Sequence, residues 1–127
     1  MTQKVKTIKP NLQLIYVSDI ALSMNFYKTL FCSEPVFTSP RYVAFDAGGE
    51  AIFAIWTGGT TPDLTIPRFS EIGIMSPSNN DVDNLFEEWQ KNPDIKIVQK
   101  PYTEVFGRTF LISDPDGHII RVSPLDN

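Results

Sequence analysis

The strongest constraint on this chain is an order of elements that runs twice. Within 127 residues the pattern reads strand, helix, three strands, and then the same order again. An apolar run from Leu12 to Val17 predicts a short buried strand. Ser18 and Asp19 read as N-cap residues for a helix to about Phe31. Its Ile20, Met24, Tyr27 and Phe31 fall at helical spacing, with Phe26 and Leu30 beside them. Val36-Phe37 opens an extended stretch, interrupted by Pro40. Tyr42 to Phe45 and Ala51 to Trp56 then flank Asp46-Ala47-Gly48-Gly49, which predicts a hairpin.

Thr57 to Phe69 is rich in Gly, Thr and Pro and reads as a flexible linker. The pattern then restarts. Glu71 to Met75 is a strand, and Ser78 to Asp81 has capping-box spacing with Asp in place of Glu. Val82, Leu85, Phe86 and Trp89 stand at i, i+3, i+4 and i+7 of a helix that Pro93 ends. Lys96 to Val98, Arg108 to Ile112 and Ile119 to Val122 supply the last strands. Asp114-Pro115-Asp116-Gly117 joins the final two as a type I turn. The expected fold is α+β, a single domain of two βαβββ modules. Module 1 spans about 11–57, the linker about 57–69 and module 2 about 70–125, with a cupped mixed sheet carrying its helices on the outer face.

Charge and cysteine content narrow the function. The net charge of −4 comes from 11 basic and 15 acidic residues. Phosphate neutralisation needs clustered Lys and Arg, so no nucleic-acid partner is expected; Lys4, Lys6 and Lys9 read as a solvated tail. No apolar run approaches the roughly 20 residues of a membrane span, and the opening residues lack a secretion signal's apolar stretch. The single cysteine, Cys32, forms no internal disulfide and reads as a small filler after the first helix. These features suit the cytoplasm.

This order of elements, with Phe26-Tyr27 in the first helix and Asp114-Pro115-Asp116-Gly117 before the last strand, resembles the vicinal oxygen chelate superfamily. That superfamily includes glyoxalase I, fosfomycin resistance enzymes, extradiol dioxygenases and bleomycin resistance proteins. Pro10 to Leu14, Pro40 to Phe45, Phe53 to Trp56, Pro67 to Met75 and Val105 to Ile112 are similar to its phenazine-resistance members. The resemblance implies a protein that binds a flat aromatic drug and sequesters it, without a cofactor.

Metal-bearing members of the superfamily place a His or Gln about seven residues before the Asp that opens the first helix, which here falls on Leu12. Their other ligand positions correspond to Ala54, Glu71 and Arg121. Leu and Ala donate nothing, and Arg is a fixed cation, so no metal is expected. His118, at the exit of the turn, reads as solvated. Glu71 and Arg121 occupy positions that converge on one ion in relatives, so the resemblance brings them together as an ion pair. That pair either neutralises a buried charge or orients a polar ligand group. If the pair exists, Arg121→Met should leave Glu71 unpaired and cost roughly 3–5 kcal/mol.

Strand alternation assigns the cup's lining. If Ala54 faces the cup, so do Ile52 and Trp56, while Phe53 and Ile55 pack under the helix. By the same parity Leu12, Leu14, Tyr16, Gly73 and Met75 face it. Trp56 is the first candidate for stacking. Tyr42, Phe106 and Tyr102 are alternatives for a second aromatic face, and Arg41 and Arg108 are candidates to meet a ligand carboxylate. Relatives build cups from the modules of two chains, so a homodimer is expected. Three functions stay open. The first is sequestration of a planar aromatic antibiotic. The second is a glyoxalase-like lyase or isomerase using Glu71 as general base. The third is delivery of the bound compound to an exporter.

Overall fold

The computed structural model describes residues 7–126; Lys4 and Lys6 of the expected basic tail lie outside them, and Lys9 is exposed. The elements run β1 (Leu12–Tyr16), α1 (Ile20–Phe31), β2 (Phe37–Thr38), β3 (Tyr42–Asp46) and β4 (Ile52–Trp56), then β5 (Ile72–Ser76), α2 (Asn79–Trp89), β6 (Lys96–Glu104), β7 (Gly107–Ser113) and β8 (Ile119–Pro124). The chain divides into two compact units at Thr61/Pro62. Each unit holds one complete pass of the repeated order.

Both units share one topology. The sheets run β1-β4-β3-β2 and β5-β8-β7-β6. In each, the first strand pairs in parallel with the last, and the remaining pairs are antiparallel. Tight turns join only antiparallel neighbours, so the helix and two strands carry the chain round to the parallel position.

Each helix buries one face of its own sheet. In the first unit Tyr27 is fully buried, with its ring 4.9 Å from that of Phe53 and 5.0 Å from that of Phe26. Phe31 meets Phe45 edge-on at 5.5 Å. Such tilted and edge-on contacts suit aromatic quadrupoles. The buried stripe on α1 is Ser23, Phe26, Tyr27 and Leu30; the stripe expected through Met24 is rotated, leaving Met24 half-buried at its margin. In the second unit Phe86 and Trp89 close on Phe110 at 5.4 and 5.7 Å, above Ile112, Ile120 and Val122.

Local signals read well at the helix starts. The Asp19 carboxylate accepts the Leu22 amide at 3.1 Å, and the Ser78 hydroxyl accepts the Asp81 amide at 3.2 Å. The capping box differs in one respect: the Asp81 carboxylate accepts from the Ser78 hydroxyl at 2.8 Å. Four other expectations change. β1 is an exposed edge strand rather than a buried one: it stands at the end of its sheet and only Ile15 is half-buried. β6 continues through Pro101 to Glu104, its register shifting twice where a simple period-2 reading stops at Val98. Cys32 is exposed at the end of α1 in the left-handed region, φ 50°. His118 is half-buried, with the Asp114 carboxylate accepting its amide at 2.8 Å.

The stretch expected as a linker is built in part. Arg68 donates to the carbonyls of Asp63, Ile66 and Asp116, which ties 63–68 to the turn before β8. The Thr65 hydroxyl and amide hold the Asp63 carboxyl below its usual pKa. A lowered carboxylate stabilises above its unfolded pKa and loses that share as pH falls through the folded one, so this turn should loosen only in acid. Replacing the α1 cap, Asp19→Ala, should lower stability by about 1 kcal/mol; urea unfolding with an unchanged slope checks it.

Candidate functional site

The first unit presents an aromatic face opposite its helix. Register sets Tyr16 beside Trp56 and Trp56 beside Tyr42. Directly paired strand residues project on one side of a sheet, so the three rings share the face that α1 leaves bare. Tyr16 meets Trp56 with centroids 5.9 Å apart and planes 67° apart. Phe37, paired with Ala44, extends the face, and its ring lies 6.0 Å from that of Tyr42. Sequence reasoning assigned Phe37 no role, since a two-residue strand offers no period to read. Of the alternatives for a second aromatic face, Tyr42 is thereby on the side of Trp56.

Residues 58 and 59 close against these rings. A Cβ on Gly58 would fall 2.2 Å from the Trp56 indole, and one on Gly59 would fall 2.5 Å from the Tyr16 ring. Only glycine allows the backbone this near. Arg41 is exposed at the start of β3, with its guanidinium 3.5 Å from the Thr57 carbonyl oxygen. Ala54 lies in the row of Leu14 and Ala44 and has no accessible surface of its own.

The second unit carries a polar counterpart. The Arg121 Nε donates to Glu71 Oε1 at 2.6 Å and Nη2 to Oε2 at 3.0 Å, a bidentate pair. Nη1 reaches the Tyr102 hydroxyl at 3.5 Å, and the guanidinium carbon stands 5.6 Å from the Phe106 ring centre, within cation–π range. The Glu71 carboxylate first, then the Tyr102 hydroxyl, raises the Arg121 pKa further above its usual value. A raised cationic pKa leaves this contribution intact below the unfolded pKa, hence across the whole neutral range. Gly73, in register with Arg121, leaves open space where a side chain would stand. Arg108 behaves differently from its expected ligand role. It shares a face with Phe110 and Ile112, and its guanidinium pairs with Asp83 of α2 at 3.1 Å.

The four positions matching metal ligands do not suit a cation. Leu12 and Ala54 of the first unit have no donor atom. In the second unit both Glu71 oxygens are engaged by a guanidinium at the remaining position. A divalent ion needs several converging N, O or S donors, so no step of chemistry is derived through one.

The topology and these faces place the chain among proteins of the glyoxalase/bleomycin-resistance fold. Residues 11–125 match the Glyoxalase-like domain family, and the chain belongs to it and to the vicinal oxygen chelate superfamily. It is 64% identical over 122 residues to the phenazine antibiotic resistance protein EhpR of Enterobacter agglomerans, covering 94% of this chain and 95% of that protein. Among solved structures, protein ATC0852 of Agrobacterium tumefaciens aligns with TM-score 0.76 at 25% identity, over 95% of this chain and 100% of that one. A glyoxalase/bleomycin resistance protein/dioxygenase family enzyme of Burkholderia phytofirmans PsJN aligns with TM-score 0.73 at 14% identity, over 91% of this chain and 98% of that one.

The ion pair also corrects an energetic expectation. The Arg121 and Glu71 side chains are 28% and 38% exposed, not buried, so solvent screens the charge left behind when one partner is removed. Arg121→Met should therefore cost about 1 kcal/mol rather than the roughly 3–5 of a buried pair; chemical denaturation of the two proteins measures it.

Proposed function

We propose that this protein binds a planar aromatic antibiotic of the phenazine type and holds it unmodified, giving its host resistance by sequestration. The observation that carries the reading is the aromatic face formed in register by Tyr42, Trp56 and Tyr16, with Phe37 at its edge. It is supported by the 64% identity to a phenazine antibiotic resistance protein. A flat polycyclic ligand needs ring surface, and each stacked aromatic contributes roughly 1–3 kcal/mol by analogy with base stacking. Two such contacts plus charge recognition are compatible with micromolar affinity, about −8 kcal/mol, once ordering costs are met. Arg41 is the candidate partner for a ligand carboxylate in the first unit. Arg121, with Tyr102 and Phe106, is the candidate in the second.

Glu71 as a general base of a lyase or isomerase fits less well. Both Glu71 oxygens accept from Arg121, so the guanidinium sets the carboxylate's orientation and only its remaining lone pairs could meet a substrate proton. A homodimer is part of the proposal: Leu12, Leu14 and Met75 are 50%, 39% and 54% exposed, apolar surface that a second copy would cover. A cytoplasmic setting accords with the exposed free thiol of Cys32. No described helix is long and apolar enough to cross a membrane.

The first test is a fluorescence titration with phenazine-1-carboxylic acid. Trp89 is packed in the core at 8% exposure, so Trp56 should supply the ligand-sensitive emission. Saturable quenching that ignores EDTA, disappears in Trp56→Ala and returns a ligand of unchanged mass is the expected result; an altered ligand would move the enzyme reading forward. Light scattering at micromolar concentration should give twice the chain mass, and a monomer would refute the dimer.

A further inference from the structure

The tip of the β6–β7 hairpin contradicts its own local chemistry. Glu104 pairs with Gly107, leaving Val105 and Phe106 as a two-residue loop. Tight two-residue hairpin turns normally need positive φ at a central position, supplied by Gly, Asn or Asp. Among the described residues the only non-glycine with positive φ is Cys32, so Val105 and Phe106 both turn with negative φ. The left-handed residue is instead Gly107, φ 112°, as in a turn followed by a glycine bulge. A β-branched residue and a bulky aromatic give a turn little intrinsic support. The tip gains little from burial either: Val105 is 98% and Phe106 45% exposed. Phe106 borders an open groove of about 600 Å³ on the same unit.

What holds the tip comes from the start of α2. The Asn79 side-chain Oδ1 accepts the Arg108 amide at 3.0 Å. A Cβ on Gly107 would fall 2.8 Å from that same oxygen and 2.5 Å from Pro124, so the chain is threaded between the two with no room to spare. One turn along the helix, Asp83 takes the Arg108 guanidinium. These contacts anchor the first two residues of β7 directly behind Phe106. From the anchored tip Phe106 reaches Arg121, itself gripped by Glu71.

We propose that Asn79 is a positioning residue for the ligand site: by tethering the Arg108 amide it sets the hairpin tip and holds the Phe106 ring against Arg121. The role rests on the drug-binding reading above, in which Phe106 and Arg121 meet the ligand. Asn79 is exposed at the first position of α2, so Asn79→Ala is expected to fold. Aspartate retains an accepting oxygen at this length and suits a helix N-terminus, so Asn79→Asp should behave as the wild type.

The test has two arms. In the unliganded protein, NMR follows exchange of the Arg108 amide and the ring-current shift that Phe106 imposes on the Arg121 side chain. Asn79→Ala should speed that exchange about tenfold, as expected for a lost hydrogen bond of ordinary strength, and move the Arg121 shift to its value in Phe106→Ala. Asn79→Asp should restore both. In the second arm, phenazine-1-carboxylic acid should bind Asn79→Ala about fivefold more weakly, with no further loss when Asn79→Ala is added to Phe106→Ala. An unchanged Arg108 exchange rate and Arg121 shift would overturn the tether, and losses that add in the double variant would overturn action through Phe106. A wild type that binds no phenazine would sink the drug-binding reading and the ligand-site role with it, while the NMR arm would still report whether Asn79 holds the tip.

Discussion

Everything in this fold depends on each sheet having one face committed to its helix. Tyr27 and Phe31 on α1 draw Phe45 and Phe53 beneath them, and Phe86 and Trp89 on α2 do the same with Phe110. Once those alternate positions are buried, the intervening side chains must project from the opposite face, since a one-residue slip would turn the whole apolar set to water. The register that seats Phe53 under α1 therefore also aligns Tyr42, Trp56 and Tyr16 in a row. The aromatic face is a geometric consequence of the core.

The two units spend the same topology on different chemistry. The first offers rings, with glycines at 58 and 59 fitted against Trp56 and Tyr16. The second offers a guanidinium whose orientation is set by a bidentate carboxylate and a cation–π contact. Where relatives of this superfamily would gather ligands round a cation, this chain has two hydrocarbon side chains in one unit and an internal ion pair in the other. Holding a molecule and transforming it are both tasks that a scaffold of this fold can take on. Fold membership alone does not decide between those tasks; the identity of a few side chains does.

Elements with strong local signals were legible from the residues alone. The caps at Asp19 and Ser78, the Asp114–Gly117 turn and the amphipathic run of α2 all express interactions among near neighbours in the chain. Strand parity reached further, assigning Trp56, Tyr16 and Gly73 to the open faces. It failed where regularity failed. β6 shifts register twice and passes through Pro101, and Phe37 sits in a strand of two residues. For Arg108 parity is sufficient: Phe110 and Ile112 on the same strand mark its face as the helix side. The Glu71–Arg121 pair came from the superfamily resemblance, since 50 residues of chain separate its members and no local pattern links them.

The sequence by itself determined which segments become helix and strand and that the order repeats. Those properties reside in side-chain identity and short-range periodicity. Only the tertiary structure decided that Tyr42 rather than its neighbours joins Trp56, that the Glu71–Arg121 pair is open to solvent, and that Asn79 reaches across to the hairpin carrying Phe106. Each of these depends on distances between residues remote along the chain, which strand pairing and helix packing set together.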